Sequence, residues 1–300
     1  MHARERVGRI VRPTMRTTRL LLGLSLAGCA TSTMRSDDDD DVSVDARPDA
    51  AVVSSNVDAE EIDFSRVYAH SGQVLYRLDT STLSPVEIGP FNVSGASITD
   101  IAVDKNDVMI GISLDNVYRI DTSTGAATLL TALGGSVPNL TSLSFVPLDL
   151  DNPDSAERLV AATDQGTVLQ IDPPTGVATQ LGAYGSSAMG LIRSSGDIVA
   201  VTGAGIFATV TIGDTLTDPD YLARIDPTSW RATPLGIGTG FDRIFGLGFW
   251  RGKIFGFVDR QASGGAIVQI DPNTGAATLI NAGGIRWFGA GVTTDAPIIP

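Results

Sequence analysis

Apolar and polar residues alternate along this chain in short runs. Arg66–Ser71 (RVYAHS), Val108–Ser113 (VMIGIS), Arg158–Thr163 (RLVAAT), Asp197–Thr202 (DIVAVT) and Lys253–Val258 (KIFGFV) form one related set. Ser97–Val103 (SITDIAV), Asn139–Phe145 (NLTSLSF), Ala188–Arg193 (AMGLIR), Ile244–Phe249 (IFGLGF) and Trp287–Val292 (WFGAGV) form a second. A period near two puts successive side chains on opposite faces, which is the mark of a strand. In the second set Asp100, Ser142, Gly190, Gly246 and Gly289 point one way, and Ile101, Leu143, Leu191, Leu247 and Ala290 point the other. Small residues opposite large ones suit strands packed between neighbouring sheets on both faces.

A third pattern fixes the period. YRIDTSTGAATLL from Tyr118 is echoed by YRLDTSTLSPVEI from Tyr76, LQIDPPTGVATQL from Leu169, ARIDPTSWRATPL from Ala223 and VQIDPNTGAATLI from Val268. Its aspartates Asp79, Asp121, Asp172, Asp226 and Asp271 are 42, 51, 54 and 45 residues apart. Repeats of this length built from strands predict propeller blades of four strands each. Within the unit, an Asp carboxylate accepts a backbone N–H two residues on, Pro presets φ, and Gly supplies the left-handed residue that closes a hairpin. This is turn chemistry, and its presence in every blade argues against reading the five aspartates as one active site.

The first repeat lacks its innermost strand, because the chain passes directly into RVYAHS, and a spare strand, IRWFGAGVTT, follows the last repeat. The expectation is an all-β, five-bladed propeller of four-stranded antiparallel blades over residues 63–297, closed by the C-terminal strand completing the first blade. Closure removes the free edges that an open sheet would expose. The 33 glycines and 15 prolines agree with many short strands and tight turns.

Ahead of the repeats lies a different kind of sequence. Met15–Cys29 (MRTTRLLLGLSLAGC) has a basic start and an apolar run too short for the about 20 residues that a membrane span needs. Its end, Leu26-Ala27-Gly28-Cys29, resembles the lipobox of bacterial lipoproteins, which implies a signal peptide over 1–28 and acylation of Cys29, with palmitate among the chains attached. Ala30–Ile62 carries ten acidic residues against Arg35 and Arg47, the composition of a disordered, self-extending tether, so 29–62 is read as lipidated cysteine and linker. No acidic residue follows the cysteine closely. The expected address is therefore the outer membrane, with the globular part in the periplasm or at the cell surface and held by lipid.

Charge narrows the partners. Without residues 1–28, the chain holds 15 basic and 33 acidic residues, a net charge of −18. Such a surface repels phosphate backbones and excludes nucleic acid as an expected partner.

The repeats resemble those of bacterial secreted β-propellers of the NHL-like and quinoprotein-like kind, over residues 64–295. The resemblance implies a propeller serving as binding platform, hydrolase, lyase or quinone-dependent dehydrogenase. The quinone-binding repeat carries a blade-docking Trp after its Gly. Here the corresponding place holds none, Trp230 falls inside a turn, and a quinone cofactor is disfavoured.

Sites in a repeat protein belong where the repeat breaks. Val146–Arg158 is read as a lengthened loop between the first and second strands of blade three, and Gly203–Asp220 as one between the second and third strands of blade four. The first holds Asp149, Asp151 and Asp154, and calcium is the ion such a spacing raises. Against the calcium-loop template, however, two of four places fail, Pro153 among them. Phe91, Tyr184, Phe241, Asp242, Arg243, Asp259, Arg260, Arg286 and Trp287 are all assigned to one loop face, where aromatics mixed with Arg suit recognition. His70, the one histidine after the signal, stands where other blades hold Ile112, Ala162, Val201 and Phe257. One His and no thiol free of lipid assemble neither a Ser-His-Asp set nor a zinc cluster. The expected function is a monomeric, non-catalytic, envelope-anchored platform for a protein or ligand, with no cofactor. The alternative is a lyase or hydrolase using carboxylates of the loop face, assisted by calcium.

Overall fold

The computed structural model describes residues 65–134, 139–213 and 218–299. The signal segment, Cys29 and the tether lie outside them. The described strands are β1 (Val67–His70), β2 (Val74–Asp79) and β3 (Ser84–Pro90); β4 (Asp100–Val103), β5 (Met109–Ile112), β6 (Asn116–Ile120) and β7 (Ala127–Ala132); β8 (Leu140–Pro147), β9 (Glu157–Thr163), β10 (Thr167–Ile171) and β11 (Ala178–Ala183). They continue with β12 (Ser186–Ser187), β13 (Gly190–Val201), β14 (Gly205–Ile212), β15 (Tyr221–Ile225) and β16 (Ala232–Pro234); β17 (Ile244–Trp250), β18 (Lys253–Asp259), β19 (Gly265–Ile270) and β20 (Ala277–Gly283); and β21 (Gly289–Val292).

These form five antiparallel sheets, the blades of a five-bladed propeller. Blade one has the order β21-β1-β2-β3, so the last strand supplies the missing innermost strand of the first blade. The register pairs Val67 with Val292, Ala69 with Ala290 and His70 with Gly289. The core lies in the seams between blades. Tyr68, Leu75 and Phe91 of blade one meet Ile101 and Met109 of blade two, and Val160 and Tyr184 of blade three meet Ile198 and Trp230 of blade four. At the axis the inner strands come close because small residues face them: a Cβ on Gly246 would collide with Ala290, and one on Gly291 would stand 2.9 Å from the Ile101 carbonyl oxygen.

The repeated turn is a rivet between blades. Asp79 accepts the N–H groups of Ser81 and Thr82 at 2.9 and 3.1 Å, Asp121 those of Ser123 and Thr124 at 2.8 and 3.2 Å, and Asp226 and Asp271 do the same in blades four and five. Asp172 departs, taking the Thr175 hydroxyl instead. The residue four places after each Asp is left-handed, with φ of 79°, 68° and 72° at Gly125, Gly176 and Gly275 and of 55° and 62° at Leu83 and Trp230. In blades two and three the turn presses on the outer strand of the preceding blade. A Cβ on Gly176 would overlap the Ala132 carbonyl oxygen, and the Gly134 N–H donates to the Gly176 carbonyl at 2.9 Å. Gly176→Ala is therefore expected to cost about 2–4 kcal/mol, from backbone strain plus the displaced blade two. Gly283→Ala, with open space around it, is expected to stay within about 0.5 kcal/mol. Urea midpoints would compare the two, and equal midpoints would refute the rivet.

Blade four departs from the sequence reading. Its innermost strand is the second half of β13, Asp197–Val201, and not Ala188–Arg193; its second strand is β14, which the sequence reading placed in a loop. Between Ser194 and Ile198 the ladder slips through a bulge, and Ile192–Ser194 extend the β13–β14 pair beyond it. Gly190 and Leu191 form a short hairpin with β12, and Leu191 is exposed. Lengthening in blade four thus falls before the innermost strand. β14 ends at Ile212 and β15 begins at Tyr221.

Candidate functional site

Each blade places one equivalent residue of its inner strand beside its second strand at the same level of the ring. These positions are Gly289, Asp100, Ser142, Asp197 and Gly246, paired on the second strands with His70, Ile112, Ala162, Thr209 and Phe257. The blade-four counterpart of His70 is thus Thr209 rather than Val201. Two carboxyl groups and an imidazole meet at the centre. The gathering depends on glycine: a Cβ at Gly289 would collide with the Asp100 carboxyl oxygen and stand 2.5 Å from His70 Nε2.

Asp100 Oδ1 accepts the Ile101 N–H at 2.9 Å; Asp197 accepts those of Ile198 at 2.6 Å and, from blade five, Leu247 at 2.8 Å. The Leu143 N–H of blade three lies beside both carboxyls, and the two carboxyls face each other. His70 Nε2 stands 3.9 Å from Asp100 Oδ1, and its Nδ1 is 2.8 Å from the Ser71 carbonyl oxygen, which makes Nδ1 the protonated nitrogen. All three groups are sealed from solvent, His70 and Asp197 at 0% exposure and Asp100 at 1%. Burial holds both carboxyls well above the usual range, and the Asp197 charge raises Asp100 further. Burial likewise lowers His70 to about 4, leaving it neutral. A third buried acid, Asp220, takes the Ser195 hydroxyl and the Ile244 N–H, and burial raises it to about 7.

The residues assigned to the loop face divide. Phe91, Tyr184 and Trp287 are core side chains: Phe91 packs edge-on to His70 at 5.7 Å, Trp287 edge-on to Tyr76 and Phe257 at 5.4 and 5.3 Å, and Tyr184 is wholly buried. The outer strand of a blade ends against the next blade's turn, which carries these aromatics under the surface; the Tyr184 carbonyl accepts the Ala232 N–H at 3.1 Å. Phe241 is half-buried against the core, and Asp259 is buried. Asp242, Arg243, Arg260 and Arg286 do reach solvent. Arg286 grips Asp259 with two bonds of 2.8 and 2.7 Å, which holds the Asp259 carboxyl below its usual range. Arg243 Nε lies 3.7 Å from Asp242 Oδ2, and with the Gln261 amide turned to face it the guanidinium donates to Gln261 at 2.8 and 3.0 Å. Arg243 and Gln261 both have a left-handed φ of 55°, a strain that side chains other than Gly carry at a cost. Met189, Leu191 and Ile237 stand exposed on the same face, Met189 and Ile237 lining one hollow with Tyr221.

Asp149, Asp151 and Asp154 lie on the opposite face, in the loop between β8 and β9. Asp149 Oδ1 accepts the Asp151 N–H at 3.0 Å, and among the described residues no three acidic, imidazole or thiol groups converge as an ion would require.

Neither a family model nor a curated protein matches this chain. Solved structures similar in outline include BamB from Moraxella catarrhalis, at 12% identity and a TM-score of 0.36 over 75% of this chain and 61% of that one. Others are a protein of unknown function from Bacteroides caccae, at 13% and 0.39 over 73% of each chain, and the computationally designed Ika8 protein, at 16% and 0.34 over 74% and 59%. This chain spans under two thirds of that BamB chain. At such identities and scores the likeness assigns no function.

Proposed function

We propose that this chain is an envelope-anchored, non-catalytic propeller that offers its loop face to a protein or ligand. The observation that carries this reading is the division of chemistry between axis and surface. The imidazole and carboxyls on the axis are sealed away from any substrate, whereas Arg243, Arg260, Arg286, Met189 and Ile237 are left on one face. Arg and exposed apolar side chains are what recognition surfaces use. Chain direction adds support. Residue 65 leads into β1, a second strand, so the chain enters the ring on the face opposite these loops, and β21 leaves there too, with Arg66 4.0 Å from Asp295. The chain thus joins the ring away from the loop face, which leaves that face clear for a partner. Among the described residues no helix is long and apolar enough to cross a membrane.

The alternative, a lyase or hydrolase, draws on the meeting of Asp100, Asp197 and His70, and the burial of all three weighs against it. The test is a pull-down from envelope extract with wild type, Arg243→Ala/Arg260→Ala and Ile237→Asp/Met189→Asp. Partners recovered with wild type are expected to fall at least about tenfold with either double variant at unchanged melting temperature. Equal recovery of every partner would count against the platform. Labelling of Cys29 by a palmitate analogue, and its loss in Cys29→Ala, tests the anchor.

A further inference from the structure

The axial carboxyls sit in a dry layer where one acceptor, Asp100 Oδ2, is left unmet. The groups that face it are His70 from β1, Tyr184 from the loop after β11, Ser142 from β8, Thr209 from β14 and the glycines of β17 and β21. The Ser142 hydroxyl oxygen receives the Ala162 N–H at 2.8 Å and keeps its own O–H, while the Thr209 hydroxyl donates to the Ile244 carbonyl at 3.0 Å. His70, protonated on Nδ1, turns a lone pair toward Asp100 and can donate nothing. Asp100 Oδ2 and His70 Nε2, both fully buried, are without a hydrogen-bond partner. Two ionised carboxylates facing each other in a dry centre would repel strongly. A hydrogen between them turns the repulsion into a bond.

We propose that Asp100 and Asp197 hold one proton between them on the propeller axis, and that this proton is a structural ligand: bound, it draws the inner strands of blades two and four together across blade three, and lost, it loosens the ring. The fold is then a pH-responsive closure that is tightest in acid. Its bond crosses the axis, so every inner strand feels it: Asp197 also holds Leu247 of blade five, and Asp100 lies against Gly289 of blade one. The stabilisation is complete below the ordinary carboxylate pKa, about 3.9, and fades as pH rises toward the elevated value of the folded pair.

Carbon-13 carboxyl shifts of aspartate-labelled full-length protein read the proton directly. At pH 7 the Asp100/Asp197 pair is expected to report one protonated carboxyl, while Asp79 and Asp121, held below the usual carboxylate range by their turn hydrogen bonds, stay ionised. Two fully ionised carboxylates at pH 7 would overturn the proposal, and this reading needs no variant. Melting temperature from pH 5 to 9 supplies the second readout. Asp100→Asn and Asp197→Asn each put an N–H donor where the proton sits, and the wild type is expected to lose about 5 °C more than either over that range. Parallel slopes in wild type and both variants would also overturn it. Other carboxyls, Asp220 included, are common to all three proteins and cancel in the comparison.

Discussion

A chain ending at Phe288 is expected to lose cooperative folding altogether. The missing residues include β21, whose four positions pair with β1 from Val67 to His70. Ala290 at 0% and Val292 at 5% exposure are core side chains, and their removal would uncover Val67 and Ala69 of blade one and Leu247 of blade five, all at 1% or less. It would also strip the inner edge of β1 of its hydrogen bonds and leave the ring with two open ends, a template for aggregation. The combined loss exceeds the 5–15 kcal/mol that holds a typical domain together. In practice the truncated protein should be recovered as aggregate, or as a species without a sigmoidal melt, while a peptide of residues 286–299 added during refolding restores the monomer. A truncated monomer that melts like the full chain would show that closure by β21 is dispensable.

That closure could be read in advance, because a first repeat without an inner strand and a spare strand after the last one leave a single economical pairing. The turn was legible for a similar reason: Asp at the start and Gly four places on describe one backbone conformation, and the structure confirms it even where Leu83 and Trp230 replace Gly. Blade four was not. Holding the interval from the turn Asp to the next inner strand near constant selects Leu191, 19 residues after Asp172, whereas the strand is centred on Ile198, 26 residues on. A hairpin inserted ahead of the strand shifts position without disturbing alternation, so the apolar pattern fits both registers. The signal that could have decided is the echo of Asp100-Ile-Ala-Val in Asp197-Ile-Val-Ala-Val. With it, the two axial acids would have lined up, and the polar centre would have been visible before any coordinates. The aromatics show the opposite limit. Sequence places Phe91, Tyr184 and Trp287 in loops, but whether a loop side chain turns outward or under the next blade is decided by tertiary packing, and here it turns under.

Trp230 joins these themes, and it yields a prediction of unusual sign. It occupies the left-handed place that Gly fills in three other blades, at φ 62°, and it is 2% exposed. The ring wedges into the seam between blades three and four. The Arg158 guanidinium carbon stacks 5.0 Å from its centre, and a Cβ on Gly182 would lie 3.0 Å from its own Cβ. Trp230→Ala removes the wedge and is expected to cost about 3–5 kcal/mol. Unlike most buried sites, Trp230→Gly is expected to be the milder change, by about 1 kcal/mol, because Ala keeps the left-handed penalty that Gly escapes. Both lose the same packing, so the difference between their urea midpoints reports backbone strain alone. Where Gly proved as costly as Ala or worse, the strain at this turn would be absent, and the fit of Trp230 would be a matter of packing with no backbone cost to offset.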